Sequence, residues 1–157
     1  MKKIGFIGLG HMGRALLENL LLSESIHPQD VVIYNRTPNK AEDIKYIHPL
    51  ITIAATVEDL YQNVDTIISS VTAMAQKPIL ESIARENIHF ISVSNGLTLK
   101  EMKKVYGGRI TRIMPTVSMG GYTLITDESR DLEALFSKVS TPLFIKFKLF
   151  NNTFFNY

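Results

Sequence analysis

The sequence KKIGFIGLGHMG, residues 2–13, decides the fold of this chain. An apolar, β-prone run leads into Gly8, Gly10 and Gly13, which have the spacing G-x-G-x-x-G, and a leucine-rich helical pattern follows at once. This order predicts a strand, a tight turn and a helix, the arrangement that binds a dinucleotide pyrophosphate. Gly8 permits the turn, Gly10 leaves backbone N–H groups accessible, and Gly13 permits close packing of the helix on the strand. We therefore expect phosphate at the helix N-terminus, bound by these glycines and by the residues between them, Leu9, His11 and Met12.

Composition bounds the class of protein. The chain has 157 residues, 45% hydrophobic and 20% charged, which is typical of one globular domain. Its net charge of +2 is too small to indicate a nucleic-acid or membrane partner. It has no cysteine, and its four histidines lack metal-ligand spacing, so no metal site is expected. It shows neither a signal-peptide pattern nor a run of about eighteen apolar residues, so we expect a cytoplasmic protein.

Strand-like and helix-like segments alternate along the chain. Helix starts are indicated by Thr37 before Pro38 and by capping-box patterns that begin at Thr56 and Thr98. The helix that begins after Thr98 is expected to end at Gly107-Gly108. Strands are predicted at residues 2–7, 31–34, 51–54, 65–71, 89–94, 109–114, 120–125 and 143–147, and helices in most of the intervals between them, including residues 75–85 and 131–139. The pattern predicts an α/β fold with a doubly wound, mainly parallel sheet, a Rossmann-type dinucleotide-binding domain over residues 1–147.

Residues that follow the strands should line the ligand crevice, because open parallel sheets bind ligands at the carboxyl ends of their strands. After the second strand the chain has Asn35, Arg36 and Thr37 instead of the acidic residue that binds the ribose of NAD. A guanidinium pairs with a 2′-phosphate, and Asn and Thr can donate hydrogen bonds to it. The predicted cofactor is therefore NADP(H), with NAD(H) as the alternative. For Arg36 taken alone, a solvated arginine beside a helix start is the competing interpretation.

Two later loops are expected on the nicotinamide side of the crevice. Ser70, Val71 and Thr72 follow the fourth strand, and Asn95 and Gly96 follow the fifth. Each segment is also compatible with an ordinary loop. No side chain is indicated as general acid, base or nucleophile, because the serines lack a nucleophile-elbow setting, so the catalytic residues stay unknown.

Four stretches together resemble the N-terminal half of pyrroline-5-carboxylate reductase: residues 5–13, Asn35-Arg36-Thr37, residues 92–98 and Arg112-Ile113-Met114-Pro115. The first is shared with the 3-hydroxyisobutyrate and 6-phosphogluconate dehydrogenase group, whereas the Arg-x-Met-Pro element is more specific. The resemblance covers about residues 2–146. It implies an NADP-dependent oxidoreductase of proline biosynthesis that transfers hydride to the C=N bond of a small cyclic imine. Because the cofactor supplies the hydride, this chemistry needs no strong protein nucleophile.

The chain departs from that family at three points. Thr72 and Ala73 stand where the family has Lys-Pro, and Thr116 stands where it has Asn. Where the family continues with a helical dimerisation domain, residues 148–157 form a Phe- and Asn-rich stretch. We interpret this tail as sequence after a truncation or frameshift, with a divergent natural terminus as the alternative. We expect a truncated reductase that binds NADPH, reduces the imine poorly and self-associates through the surface that the missing domain would cover. The alternatives are a catalytically silent dinucleotide-binding paralogue or remnant, and a hydroxyacid dehydrogenase of the related group, which the loop at Asn95-Gly96 disfavours.

Overall fold

The computed structural model describes residues 3–94, 96–116, 121–126 and 145–147. The elements in chain order are β1 (Ile4–Ile7), α1 (His11–Leu22), a 3-10 turn (Pro28–Asp30), β2 (Val31–Tyr34), α2 (Pro38–Ile47), β3 (Thr52–Ile53), α3 (Val57–Tyr61), β4 (Thr66–Ser69), α4 (Ala73–Ser82), β5 (His89–Ser92), α5 (Leu99–Lys103), β6 (Ile110–Thr116), β7 (Gly121–Thr126) and β8 (Ile145–Phe147). Asn95, the helix predicted at residues 131–139 and the tail at residues 148–157 lie outside the described residues. The boundary at residue 147 therefore stays a prediction.

The described strands form one sheet in the order β3-β2-β1-β4-β5-β6-β7-β8. All pairs from β3 to β6 are parallel, β7 runs antiparallel to β6, and β8 is parallel to β7. The prediction of a doubly wound, mainly parallel α/β sheet is confirmed. Chain order reverses between β1 and β4, and this switch point is where such sheets open a crevice for ligands.

Apolar side chains cover both faces of the sheet, as the alternation of side chains along a strand requires. Phe6, Ile68 and Ile91 face a core that includes residues of α1 and α2. Their chain neighbours Ile67 and Phe90 face a second core, which includes residues of α3, α4 and α5. The two cores hold β1, β2, β4 and β5 so that their carboxyl ends lie together at the same end of the sheet. In the described part of the chain, no helix is long and apolar enough to cross a membrane.

Several element ends differ from the sequence prediction. Helix α5 ends at Lys103, well before Gly107-Gly108, because Tyr106 is buried and bonds through its hydroxyl to Glu86 O and to the backbone of Ile88. Strand β6 continues through Pro115 to Thr116, because this stretch pairs with β7. Helix α4 spans Ala73–Ser82 instead of residues 75–85.

The predicted helix starts had mixed outcomes. The capping box at Thr98 is confirmed, since its side chain accepts from Glu101 N and the Glu101 carboxylate accepts from Thr98 N. At Thr56 the hydroxyl accepts from Asp59 N, but the Asp59 carboxylate reaches back to Ala55 N and not to the capping residue. The predicted capping hydroxyl of Thr37 is wrong: Thr37 occupies the N-cap of α2 without a side-chain hydrogen bond.

Candidate functional site

The glycine turn joins three neighbouring strands at the switch point. Gly8 has φ +88°, in the left-handed region that favours glycine, as the sharp turn requires. Its N–H donates to Tyr34 O at the end of β2 (3.1 Å), and its carbonyl accepts from Ser70 Oγ beyond β4 (2.7 Å). The turn is therefore tied to the chain on both sides of β1.

The other two glycines of the motif have different surroundings. A Cβ on Gly13 would overlap the carbonyl oxygen of Gly8 and the hydroxyl of Ser70, so the first turn of α1 is packed directly on the glycine turn. A Cβ on Gly10 would have no heavy atom within 4 Å. Gly13 thus serves packing, whereas Gly10 borders open space.

The N-terminus of α1 carries N–H groups that the helix leaves unpaired. The first N–H groups of a helix have no partner within it, and here Gly10, the N-cap, has no side chain to supply one. No acidic residue lies in the first turn. His11 is exposed and Met12 is half-buried. The amides of His11, Met12 and Gly13, with the positive end of the helix dipole, form a site suited to an anion such as a pyrophosphate.

Asn35 links the end of β2 to the glycine turn. Its Oδ1 accepts from Leu9 N (2.8 Å), and its Nδ2 donates to Thr37 O (2.9 Å). The Leu9 side chain is buried in the core on the α1 side of the sheet. The Leu9 N–H and both ends of the Asn35 amide are thus engaged within the protein and link β2 to the glycine turn. That Leu9 and Asn35 also contact the cofactor stays a prediction.

Arg36 lies next to this link and is available for an external partner. It is exposed, and within the described residues it makes neither a hydrogen bond nor an ion pair. Thr37 and Lys40, at the start of α2, are exposed as well. The Arg36 guanidinium and the Lys40 ammonium lie at the start of α2, whose N-terminus no side chain caps. Together they make this part of the crevice positively charged, which suits a phosphate group other than the pyrophosphate.

The two loops predicted on the nicotinamide side meet each other at the base of α4. A Cβ on Gly96 would overlap Ala73, the first residue of α4. Thr72, the N-cap of α4, is exposed, whereas Ser70 donates to the glycine turn and Val71 is half-buried. The structure thus packs Gly96 against Ala73, the residue that directly follows residues 70–72, while Asn95 is not among the described residues.

A buried polar group behind these loops was missed from the sequence. Gln76 is fully buried on α4, in line with Ile79, Leu80 and Ile83. A polar residue within a stripe of apolar residues at helical spacing was the signal that could have found it. Its amide contacts are short: Nε2 donates to Ser92 Oγ (2.8 Å), and Oε1 accepts from Ser94 Oγ (2.6 Å).

Arg112, noticed in the sequence as part of Arg-x-Met-Pro, lies beside this group and is 5% exposed. In register across the sheet, Arg112 pairs with Ser92 and Ser92 with Ser69. Burial lowers the pKa of Arg112, and the nearby Glu101 carboxylate opposes that shift. Among the described residues, Arg112 Nε and Ser69 Oγ are the buried side-chain atoms without a hydrogen-bond partner. Because arginine keeps its proton, the guanidinium is a fixed positive charge at the carboxyl edge of the sheet.

Fold and site together define the class of protein, a dinucleotide-binding α/β domain. Residues 3–96 match the family described as NADP oxidoreductase, coenzyme F420-dependent, and the chain belongs to that family.

Comparison with individual proteins confirms the resemblance to pyrroline-5-carboxylate reductase. The Escherichia coli K12 protein of that name is 30% identical over 121 residues, which cover 73% of this chain and 44% of the relative. The ComE operon protein 4 of Bacillus subtilis is 28% identical over 130 residues, 79% of this chain and 48% of the relative. The structure of Plasmodium falciparum pyrroline carboxylate reductase with NADP bound is similar at a TM-score of 0.75, with 18% identity, over 96% of this chain and 58% of the other. At that identity the structural likeness supports the fold. The chain spans about half the length of the curated relatives it matches.

Proposed function

We propose that this chain binds NADP(H) as the cofactor domain of an imine-reducing oxidoreductase of the pyrroline-5-carboxylate reductase type. One observation carries the proposal: the Leu9 N–Asn35 Oδ1 hydrogen bond joins the turn before α1, a helix with an uncapped N-terminus, to the residue that precedes Arg36. Arg36 is exposed and unpaired within the described residues. The two features supply separate positive sites, as a cofactor with a pyrophosphate and a 2′-phosphate needs. The relative from Plasmodium falciparum, whose structure holds NADP, supports the choice of cofactor.

Each group of residues has a distinct task in this proposal. The amides of residues 10–13 bind the pyrophosphate, and Arg36 and Thr37 bind the 2′-phosphate. Asn35 and Ser70 contribute indirectly, since their hydrogen bonds to Leu9 N and Gly8 O hold the glycine turn in shape. The nicotinamide ring lies toward residues 70–72 and the loop at Asn95 and Gly96. When bound, NADPH supplies the hydride, and the protein's work is to orient one face of the ring and exclude water.

The substrate we propose is a small cyclic imine, supported by the name of the Escherichia coli relative. We propose further that the 157-residue chain, which spans about half of such relatives, binds NADPH but turns over 1-pyrroline-5-carboxylate slowly or not at all. Thr72, at a position where the family has lysine, supports the alternative of a silent dinucleotide-binding module. Full turnover by the purified chain would refute both the poor activity and the silent alternative. Self-association also stays a prediction, which sedimentation velocity would test.

The cofactor proposal is tested by titrating the chain with NADPH and with NADH in a calorimeter. We expect Arg36→Ala to lower NADPH affinity about ten- to a hundredfold, since a charge-assisted hydrogen bond contributes about 1.5–3 kcal/mol. NADH affinity should stay within about twofold, because NADH lacks the phosphate that Arg36 would bind. The matched control is Arg85→Ala. Arg85 is exposed and precedes β5, at the end of the sheet where the parallel strands begin. If Arg36→Ala leaves the preference for NADPH unchanged, the phosphate assignment is wrong.

A further inference from the structure

Gln76 is fully buried, and its side chain forms a hydrogen-bonded network that joins α4 to β5, to the loop after β5 and to α5. Nε2 donates to Ser92 Oγ (2.8 Å) and to Met102 Sδ (2.9 Å), while Oε1 accepts from Ser94 Oγ (2.6 Å). Every hydrogen of the amide group therefore has an acceptor, and its oxygen has a donor. Such a group is costly to bury unless it is fully paired, so these contacts impose a defined geometry on their partners.

The partners of Gln76 flank a single loop. Ser92 is the last residue of β5, Ser94 begins the loop that follows, and Met102 lies on α5 beyond that loop. Gln76 itself stands one turn into α4, the helix that follows the loop at residues 70–72. The Gln76 side chain thus links the helix that follows one loop, residues 70–72, to the segments before and after the other loop.

Two further features hold the loop between Ser94 and Thr98. The capping box of Thr98 and Glu101 closes its far end. Gly96 packs so closely on Ala73 that no Cβ fits between them. A shift of Ser94 away from Gln76 would move this loop relative to α4 and change the gap between the two loops.

We propose that Gln76 is a positioning residue that sets the separation of these two loops for the nicotinamide half of the cofactor. This inference rests on the proposed function, which places the nicotinamide between them. Gln76 is fully buried and acts through Ser94 without touching the ligand. An apolar side chain of similar length would fill the same space, but it would lack the directional bonds that fix Ser94.

The test compares two ligands on the full 157-residue chain. NADPH carries both halves of the cofactor, whereas adenosine 2′,5′-bisphosphate carries the adenosine and the 2′-phosphate without the nicotinamide. We expect Gln76→Met to lower NADPH affinity about tenfold, the effect of losing about one net hydrogen bond, and to leave adenosine 2′,5′-bisphosphate affinity within about twofold. Gln62→Met, at an exposed glutamine, is the matched control and should change neither affinity.

A second variant keeps the proposal falsifiable if Gln76→Met fails to fold. Ser94→Ala removes one hydrogen bond at a half-buried site and should also weaken NADPH binding selectively, while Ser94→Thr, which keeps a hydroxyl, should restore it. Equal losses for both ligands would show a merely structural role and overturn the proposal, as would unchanged NADPH binding in Ser94→Ala. A wild-type chain that binds neither ligand would refute the proposed function itself, and the positioning role with it.

Discussion

Alanine at Gly13 should destabilise the protein, because the new methyl group would enter a packed contact. Its Cβ would overlap the Gly8 carbonyl oxygen and the Ser70 hydroxyl, which are joined by a 2.7 Å hydrogen bond. Neither atom can withdraw without disturbing that bond. Overpacking of this kind typically costs about 1–3 kcal/mol, and the gain in helix propensity offsets up to about 1 kcal/mol. We expect a net loss of about 1–2 kcal/mol in the free energy of unfolding.

Alanine at Gly10 should have the opposite profile, with the fold retained and binding lost. Its Cβ would meet no heavy atom within 4 Å, and its backbone angles, φ −68° and ψ −172°, are open to any residue. The free energy of unfolding should change by less than about 1 kcal/mol, because the loss of a favourable glycine N-cap is opposed by the lower conformational entropy of the unfolded chain. The methyl group would nevertheless stand at the N-terminus of α1, where the pyrophosphate is proposed to bind. We expect NADPH affinity to fall at least about tenfold.

Two assays on the same samples separate these effects. Urea denaturation followed by circular dichroism measures the free energy of unfolding, and calorimetric titration measures NADPH affinity. A Gly13→Ala variant as stable as the wild type would contradict the close packing at Gly13. Normal NADPH binding by Gly10→Ala would show that the open space at Gly10 is not the ligand site.

Two further predictions concern the fold. Tyr106→Phe removes a buried hydroxyl that bonds to three backbone groups, so the free energy of unfolding should fall by about 1–3 kcal/mol in urea denaturation, whereas Tyr46→Phe, at an 89% exposed ring, should change it little. A Tyr106→Phe variant with wild-type stability would contradict the burial of that hydroxyl. Hydrogen bonds from the backbone and side chain of Thr98 lower the pKa of Glu101. The ionised Glu101 carboxylate therefore contributes its full stabilisation above the ordinary glutamate pKa, and this stabilisation is lost as pH falls through the lower pKa of the folded state. The stability of Glu101→Gln should therefore fall less steeply on acidification, and parallel pH profiles for variant and wild type would count against the cap.

The parts of the fold that the sequence predicted well depend on residues close together in the chain. The strand Val31–Tyr34 has the predicted bounds, and the capping box at Thr98 forms as expected. Helix α5 ends early because Tyr106 bonds to residues about twenty positions before it, a contact that no local pattern reveals. Local propensity could place the helix but not its end.

The candidate site shows the same division. The glycine spacing predicted the turn and the uncapped helix, since both follow from backbone geometry. The hydrogen bond between Leu9 N and Asn35 Oδ1 spans 26 residues, so the sequence indicated two candidate residues without showing that they bond to each other. The role of Gln76 was not predicted for a related reason: its hydrogen-bond partners on β5 and α5 are distant in sequence and become its neighbours only in the folded chain.

Nuclear magnetic resonance can show whether the first turn of α1 and Arg36 bind NADP(H). A ¹⁵N-labelled chain would be titrated with NADP⁺ while the backbone amide shifts are followed. We expect the largest shift changes at the backbone amides of Gly10, His11, Met12, Gly13 and Arg36. Unchanged chemical shifts at these amides would contradict this binding site. So would shift changes concentrated at residues 84–88, at the end of the sheet where the parallel strands begin.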